Sequence, residues 1–224
     1  MPRLYLHLQA PFAAFRSMQA GVYRSTMPVI PPSAAFGLVL NLAGIEMRGE
    51  DVGTTLISPD LPRLRLAVGT VHEATVSTLY QQLHSYPVGS SGKEFKARSH
   101  GTKNWIAPVR REILVGLDAV IAVESENADL LNRVKRGGSP TEPRYGLPFA
   151  GDNNFLFDRI DFIDSPPPVR WYCGLSEANT RTGSVRLTVS IDRADQSRTQ
   201  TVLVAPCDPC ITPPENAWHQ VPAA

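Results

Sequence analysis

The chain has 224 residues, a formal net charge of +1, 42% hydrophobic residues and 19% charged residues. These values are typical of a globular protein with one substantial core. A net charge so close to zero gives no overall attraction to nucleic acid, so any such binding must depend on local clusters. The three cysteines argue against a disulfide-stapled secreted protein. No apolar run of about 18 residues could span a membrane, and we expect a cytoplasmic location.

The N-terminal part of the chain predicts two strands and one buried helix. Leucines alternate with other residues over 3–9, which predicts a strand that ends near residue 10. The segment from Ser33 to Gly44 is apolar nearly all round, so we expect a buried helix with Ser33 as its N-cap and Gly44 as its stop. Gly37 suggests that another backbone approaches the helix closely. Alternation over 61–71 predicts a second strand.

The later segments predict a sheet-rich fold with long connections. Separate strands are predicted at 113–116, 119–123, 155–163, 171–173 and 184–191, with a short helix at 127–134 and a glycine-proline loop at 136–154. One early helix beside several strands predicts an α+β domain of ferredoxin-like type. We place this domain at residues 1–165. A shorter, loop-rich C-terminal β part at 166–224 should pack on the same domain.

A basic excursion at residues 84–109 interrupts the predicted strands. The segment from residue 93 to residue 112 holds Lys93, Lys96, Arg98, Lys103, Arg110 and Arg111 against Glu94 and Glu112, a local charge of +4. Cations on a glycine-rich segment suit a phosphate backbone, and interleaved aromatics such as Trp105 offer surfaces on which bases stack. A solvated surface loop would show the same composition, and composition alone leaves both interpretations open.

The loop before the helix is a second candidate for phosphate binding. Arg16, Arg24, Ser25 and Thr26 offer donors beside Tyr23, and the helix start at Ser33 adds backbone N–H groups and a positive dipole end. The alternative, that the prolines and Ser33 only start a helix, is favoured by composition alone.

Catalytic and metal motifs are weak. Cys207 and Cys210 have metal-like spacing, but the nearest further ligands are Cys173 and His219, so incidental cysteines are the better interpretation and no metal or cofactor is expected. His100 and Lys103, with Tyr23, could cleave RNA without a metal by acid-base catalysis. Nothing in the sequence fixes their geometry, so phosphate binding alone is the preferred role for His100 and Lys103.

Four blocks of sequence together resemble a known family. They read L-Y-L-H-L-Q-A-P-F-A-A-F-R at 4–16, P-P-S-A-A-F-G-L-V-L-N-L-A-G at 31–44, P-V-R-R-E-I-L-V at 108–115 and R-Y-G-L-P-F-A-G-D-N-N-F at 144–155. They resemble the fifth Cas family of the RAMP superfamily, whose members cap the 5′ handle of the guide RNA in type I CRISPR (Cascade) complexes. The last block is similar to type I-B-like branches.

The resemblance implies a fold, a site and partners. It implies a ferredoxin-like (RRM-related) antiparallel sheet with a protruding β-hairpin thumb, for which 84–109 is the available segment. The handle would be held by Arg16, Tyr23, Arg24, Ser25 and Ser33, and the thumb would act through Lys96, Arg98, Lys103 and Trp105, with Arg110 and Arg111 at its base. Expected partners are the crRNA, the repeating backbone subunit and the large subunit. Target DNA would be reached indirectly through the guide, and no membrane is involved.

The resemblance also bears on catalysis. In the type I-C branch this family cuts precursor RNA with tyrosine, lysine and histidine, and there the lysine and histidine are adjacent. Here Gly101 and Thr102 separate His100 from Lys103, so we expect a protein that is not an enzyme. A metal-independent endoribonuclease using Tyr23, His100 and Lys103 is the alternative.

Overall fold

The computed structural model describes residues 1–16, 23–49, 56–87, 104–139, 142 and 144–222. Two α-helices lie in this part of the chain, α1 (Pro32–Leu42) and α2 (Ala128–Gly137), with 3-10 turns at Glu177–Asn179, Gln196–Arg198 and Glu215–Ala217. The strands are β1 (Arg3–Ala13), β2 (Phe15–Arg16), β3 (Tyr23–Arg24), β4 (Thr26–Met27), β5 (Leu64–His72), β6 (Thr75–Pro87), β7 (Asn104–Glu124), β8 (Arg159–Ile163), β9 (Arg170–Gly174), β10 (Val185–Ser190), β11 (Gln200–Pro206) and β12 (His219–Val221).

One mainly antiparallel sheet organises the described residues. Its central order is β10-β11-β9-β5-β7-β1-β8, with β12 paired to β5 and with β3 and β6 paired to β7. Strands β2 and β4 form a separate two-stranded sheet. Helix α1 crosses one face of the large sheet, where it contacts β5, β10 and α2. An antiparallel sheet covered by helices on one face confirms the predicted α+β fold.

The core lies between α1 and the sheet. Leu4, Leu6 and Leu8 in β1 are at most 3% exposed and belong to the same apolar cluster as Phe36 and Leu40 of α1. Full burial of such a side chain stabilises the fold by about 1.5–3 kcal/mol. The period-two strand and the buried helix that the sequence predicted are therefore confirmed.

The predicted N-cap of α1 at Ser33 is wrong. Pro31 is the N-cap, with extended backbone angles, and Pro32 occupies the first helical position without a side-chain cap hydrogen bond. Proline suits this position because the first N–H groups of a helix have no partner within the helix. Ser33 lies inside the helix. The predicted stop is confirmed, because Gly44 follows the helix with a φ of 68°.

The close backbone approach occurs at a different glycine from the one predicted. A Cβ placed on Gly37 would meet no atom within 4 Å, whereas one placed on Gly137 would lie 1.7 Å from the carbonyl oxygen of Leu42. Gly137 therefore lets the last turn of α2 touch the last turn of α1.

Strands β1 and β7 are longer than predicted. Strand β1 continues to Ala13, and the two segments expected at 113–116 and 119–123 are one strand, β7. Ala10 pairs with Leu117 and the residue at 12 pairs with the residue at 115, so Pro11 and Gly116 lie opposite each other between these two pairs. Gly116 has a φ of 73°. Pro11, which has no backbone N–H to donate, thus lies opposite the irregular backbone of Gly116, and the strand pairing continues on both sides of them.

The C-terminal residues extend the same sheet. Strand β9 pairs with β5 at Gly69 and Trp171, and β12 pairs with the other end of β5 at Leu64 and Val221. The strand expected over 155–163 is confined to β8, and β11 was not predicted.

A long hairpin leaves the sheet between β6 and β7. Its pairs extend from Thr75–Val115 to Pro87–Asn104, so it begins earlier than the expected boundary at residue 84. Val76, Tyr80 and Ile106 are 52%, 64% and 53% exposed. We call the paired segments 75–87 and 104–115 the hairpin.

Candidate nucleic-acid interface

The loop before α1 and the base of the hairpin lie side by side. Strand β3 pairs in parallel with β7, which places Tyr23 opposite Arg110 and Arg24 opposite Arg111. Two stretches of sequence that were proposed separately as RNA-binding segments therefore adjoin in the described structure. We call Arg16, Tyr23, Arg24, Arg110 and Arg111 the hairpin-base site.

Glu112 holds the loop against the hairpin. One carboxylate oxygen, Oε1, accepts a hydrogen bond from the Tyr23 hydroxyl. The other, Oε2, accepts from the backbone N–H of Thr26 at 3.0 Å. This hydrogen bond from Tyr23 to Glu112 raises the pKa of Tyr23 above its ordinary value. Glu112 thus fixes both the phenol and the backbone of the loop.

Within the site, Arg16 connects three segments of the chain. Its Nη1 donates to the carbonyl oxygens of Arg24 at 2.9 Å and of Glu112 at 2.8 Å. Asp152 lies within ion-pair distance of both Arg16, at 3.9 Å, and Arg111, at 3.8 Å. Burial lowers the pKa of Arg16, and the nearby positive charges of Arg111 and Arg24 also lower it, while Asp152 opposes them.

The outward side of the site is cationic. Tyr23 is 50% exposed, and Arg24 and Arg110 are exposed without an ion-pair partner in the described part of the chain. The Nε of Arg111 is buried and has no hydrogen-bond partner among the described residues. The site and its immediate partners contain four arginines and two carboxylates, Glu112 and Asp152, so the positive groups are in excess.

The remaining predicted site residues are placed differently. The carbonyl oxygen of Ser25 accepts from Arg16 at 3.4 Å, so its backbone belongs to the site. Ser33 instead lines a cavity of about 560 Å³ together with Ile191 and Val221. No hydrogen bond joins Ser33 to the hairpin-base site in the part of the chain described. Trp105 belongs to β7. Lys96, Arg98, His100 and Lys103 lie outside the described residues.

Sequence reasoning assigned no role to two carboxylates that organise the site. Glu112 was counted only as an acid opposing the basic excursion, and Asp152 was assigned no role within the glycine-proline loop. A signal was present, because Glu112 follows Arg110 and Arg111 directly and Asp152 lies in the 144–155 block. Their partners are far away in sequence, so only the fold shows what they hold.

The three cysteines lie near one another at the edge of β9. Burial, followed by the neighbouring Cys207 thiol, raises the pKa of Cys173 to about 12. Cys173 is therefore a protonated thiol at neutral pH. Among the residues with described positions, no group of three or more His, Cys, Asp or Glu side chains could hold a metal ion.

Neither α-helix of the described segments has the length and apolar character that crossing a bilayer requires.

Comparisons with known proteins agree with this architecture. A chain of a CRISPR RNA-guided surveillance complex is 14% identical and superposes with a TM-score of 0.60, each chain being covered to 96%. A crystal structure of a Cas protein is 16% identical with a TM-score of 0.52, covering 92% of this chain and 94% of the other. Identities this low establish a shared fold alone. No curated protein matches the chain in sequence.

A family model gives the decisive match. The model, described as CRISPR-associated protein (Cas_Cas5), matches residues 3–138. These residues include β1, α1, the hairpin and α2, and they form more than half of the 224-residue chain. The chain therefore belongs to the CRISPR-associated Cas5 family.

Proposed function

We propose that this chain is the RNA-binding subunit of a type I CRISPR effector complex, in which the hairpin-base site holds the 5′ handle of the crRNA. One observation supports the proposal most directly: Tyr23 and Arg24 pair with Arg110 and Arg111, which brings cations from two distant stretches of the family's matched region next to one another. Membership of the Cas5 family and the likeness to a chain of an RNA-guided surveillance complex support it.

The chemistry of the site suits a single-stranded phosphate backbone. Guanidinium groups donate two parallel hydrogen bonds to a phosphate, and the exposed Tyr23 ring offers a surface for one base. The unpaired Nε of Arg111 adds a donor that has no protein partner among the described residues. An unsatisfied buried donor costs about 1–3 kcal/mol, and a ligand oxygen that reached it would recover part of this cost.

The hairpin suits contacts with protein partners. Val76, Tyr80 and Ile106 present apolar surface along it, each more than half exposed. We propose that the backbone subunit packs there, that the large subunit contacts the sheet body, and that target DNA is reached through the guide. Such a complex would act in the cytoplasm.

We further propose that the chain binds RNA without cutting it. The hydrogen bond to Glu112 raises the pKa of Tyr23, which makes the phenol less ready to lose its proton during catalysis at neutral pH. Incubation of the purified protein with repeat RNA in EDTA should leave the RNA intact. Metal-independent cleavage that disappears in His100→Ala would overturn this part and support the endoribonuclease.

Charge reversal at the hairpin base tests the binding proposal. The chain is co-expressed with a repeat array and the neighbouring genes, and RNA bound to the purified complex is sequenced and titrated. We expect Arg110→Glu to weaken binding at least about tenfold and to reduce the dependence of log affinity on log salt by about 0.7 for each phosphate that Arg110 neutralises. Arg63→Glu is the matched control, because Arg63 is exposed and lies before β5. Equal affinity in both variants would refute the proposal.

A further inference from the structure

A second group of arginines lies at the ends of the two helices. Arg133, Arg136 and Arg144 line a cavity of about 530 Å³, and Glu142 is the acid that shares it. In the described structure none of the three arginines forms an ion pair, either with Glu142 or with another acid. The other acids that pair with arginines are used elsewhere, for example Glu124 with Arg3.

The floor of this arginine pocket is closely packed. The last turns of α1 and α2 meet there, because Gly137 leaves room for the carbonyl oxygen of Leu42. Both helices therefore direct their negative dipole ends toward the same point. Arg133 places a positive charge at this point, because its Nη2 donates a hydrogen bond to the carbonyl oxygen of Ala43 at 2.7 Å.

Capping of the helices uses few of the available donors. A guanidinium has five N–H donors, and in the described part of the chain Arg133 uses one of them, to Ala43. Within the described residues, Arg144 makes one long hydrogen bond, at 3.5 Å, to the carbonyl oxygen of Ser139. Arg136 is exposed, and none of its side-chain donors is bonded within the described residues. The pocket thus presents more cationic donors than the helix ends require.

An exposed aromatic ring stands at the edge of the pocket. Tyr145 lines the pocket and is 48% exposed. Its backbone N–H donates to the carbonyl oxygen of Asn41 at 3.2 Å, and its hydroxyl accepts from Arg48 at 2.7 Å. The backbone and the hydroxyl of Tyr145 therefore hold the ring in place. The Arg48 guanidinium lies over the ring, 5.9 Å from its centroid, and the exposed part of the ring is available for stacking.

One short segment joins this pocket to the hairpin-base site. It begins at Tyr145 and ends at Asp152, which lies beside Arg16 and Arg111. Seven residue steps span at most about 25 Å. Phe149, midway along the segment, is 48% exposed. The backbone of the next residue is fixed, because the carbonyl oxygen of Ala150 accepts from the N–H of Ala14 at 3.0 Å.

We propose that the arginine pocket is a second RNA site, which binds a phosphate of the same guide strand while a base stacks on Tyr145. The strand leaves the hairpin-base site and follows residues 145–152 to the pocket. This inference rests on the proposed function. Single-stranded RNA is the favoured ligand because it supplies regularly spaced phosphates and bases together, which matches arginines interleaved with exposed aromatic rings.

Charge reversal within one helix tests the second site. Arg136→Glu alters the pocket, and Lys135→Glu is its matched control, because Lys135 is exposed on the same helix and does not line the pocket. Affinity for the copurified crRNA and for a short fluorescein-labelled oligouridine is measured by anisotropy in the assembled complex. We expect Arg136→Glu to weaken crRNA binding about fivefold or more and Tyr145→Ala to weaken it less, with Lys135→Glu unchanged.

The outcomes separate this inference from the proposed function. If Arg110→Glu weakens RNA binding while Arg136→Glu matches Lys135→Glu, the second site is refuted and the proposed function stands. If neither Arg110→Glu nor Arg136→Glu weakens binding, both are refuted. If Arg136→Glu keeps the RNA but loses a protein subunit from the complex, the pocket is a protein interface and the inference fails. Photocrosslinking of 4-thiouridine in the guide to Tyr145 would give independent support.

Discussion

The two halves of β7 belong to one strand but have opposite surroundings. The inner half, Leu117–Glu124, lies between β1 and β5, and Val120 and Ile121 within it are 0% exposed. The outer half pairs with β6, and Ile106 within it is 53% exposed. Apolar burial is the main favourable term in folding. The inner half therefore stabilises the domain, and the outer half projects a surface from it.

This difference explains how a single strand can serve both folding and recognition. Between the two halves, Ile113 and Leu114 remain buried at the base of the hairpin. Arg110 and Arg111, next to them, pair with Tyr23 and Arg24 of the loop before α1. The hairpin-base site is thus anchored to the core on one side and open on the other. A binding site built on such a regular strand is held more precisely than one on a loop alone.

The largest expected effect separates the two halves of β7 by stability. Ile121→Ala removes a fully buried side chain and should lower the free energy of unfolding by about 3 kcal/mol. Ile106→Ala is the matched substitution in the hairpin and should cost less than about 0.5 kcal/mol. Urea unfolding of the full chain measures both. Similar losses of stability would show that Ile106 packs as part of the core, and the contrast between the two halves of β7 would be wrong.

The same contrast decides what the sequence could predict. Local patterns predicted β1 and α1, because Leu4, Leu6 and Leu8 alternate and residues 34–43 are apolar without interruption. These signals come from neighbours in sequence and need no knowledge of the fold. The continuity of β7 was missed because Gly116 and Asp118 break its apolar pattern. In the structure the irregularity at Gly116 faces Pro11, so the two breaks coincide.

The candidate site was predicted in part. Arg110 and Arg111, with Tyr23 and Arg24, were named from their residue types and from the family resemblance. Their pairing was not predicted, because a parallel match of two residues leaves no periodic signal. Ser33 was included as the expected N-cap, where the start of the helix offers backbone N–H groups, but the N-cap position belongs to Pro31. Long-range hydrogen bonds, such as those of Glu112, follow from the fold and not from local pattern.

An intermediate effect is expected at the junction of the hairpin and the loop. Glu112→Gln keeps the shape of the side chain but removes the negative charge that accepts the hydrogen bonds from the Tyr23 hydroxyl and the Thr26 N–H. Hydrogen bonds to charged groups contribute about 1.5–3 kcal/mol when buried and less when partly exposed, so we expect a loss of about 1 kcal/mol. Hydrogen exchange at the Thr26 amide should accelerate, while exchange at Ile121 in the core should not.

Glu126 provides the matched control for this junction. It is an exposed acid just beyond the end of β7, so Glu126→Gln should leave both the stability and the Thr26 amide unchanged. An unaltered exchange rate at Thr26 in Glu112→Gln would mean that the loop is held by Arg16 and by β2–β4 pairing instead. In that case the junction would be stabilised together with the core, and the boundary between the inner and outer halves of β7 would lie further out along the hairpin.

The smallest expected effect is a pH dependence confined to the core. Burial lowers the pKa of His219 below its ordinary value of 6.5, and its Nε2 is buried without a described partner. The unfolded chain therefore binds this proton more readily than the folded chain. The stability contribution is complete above pH 6.5 and is lost as the pH falls through the lowered pKa. The urea midpoint should be higher at pH 7.5 than at pH 5.5, and His219→Gln should narrow that difference.

A histidine of the hairpin provides the contrast. His84 is exposed in β6, so His84→Gln should leave the pH difference as large as in the unsubstituted chain. His219 lies in β12, where it pairs with Leu66 of the core strand β5. The loss at low pH should therefore appear in the exchange of amides in β5 and should not appear in β6. If the amides of β6 lost protection at low pH as strongly as those of β5, the hairpin would unfold together with the core, and the two halves of β7 would be one cooperative unit.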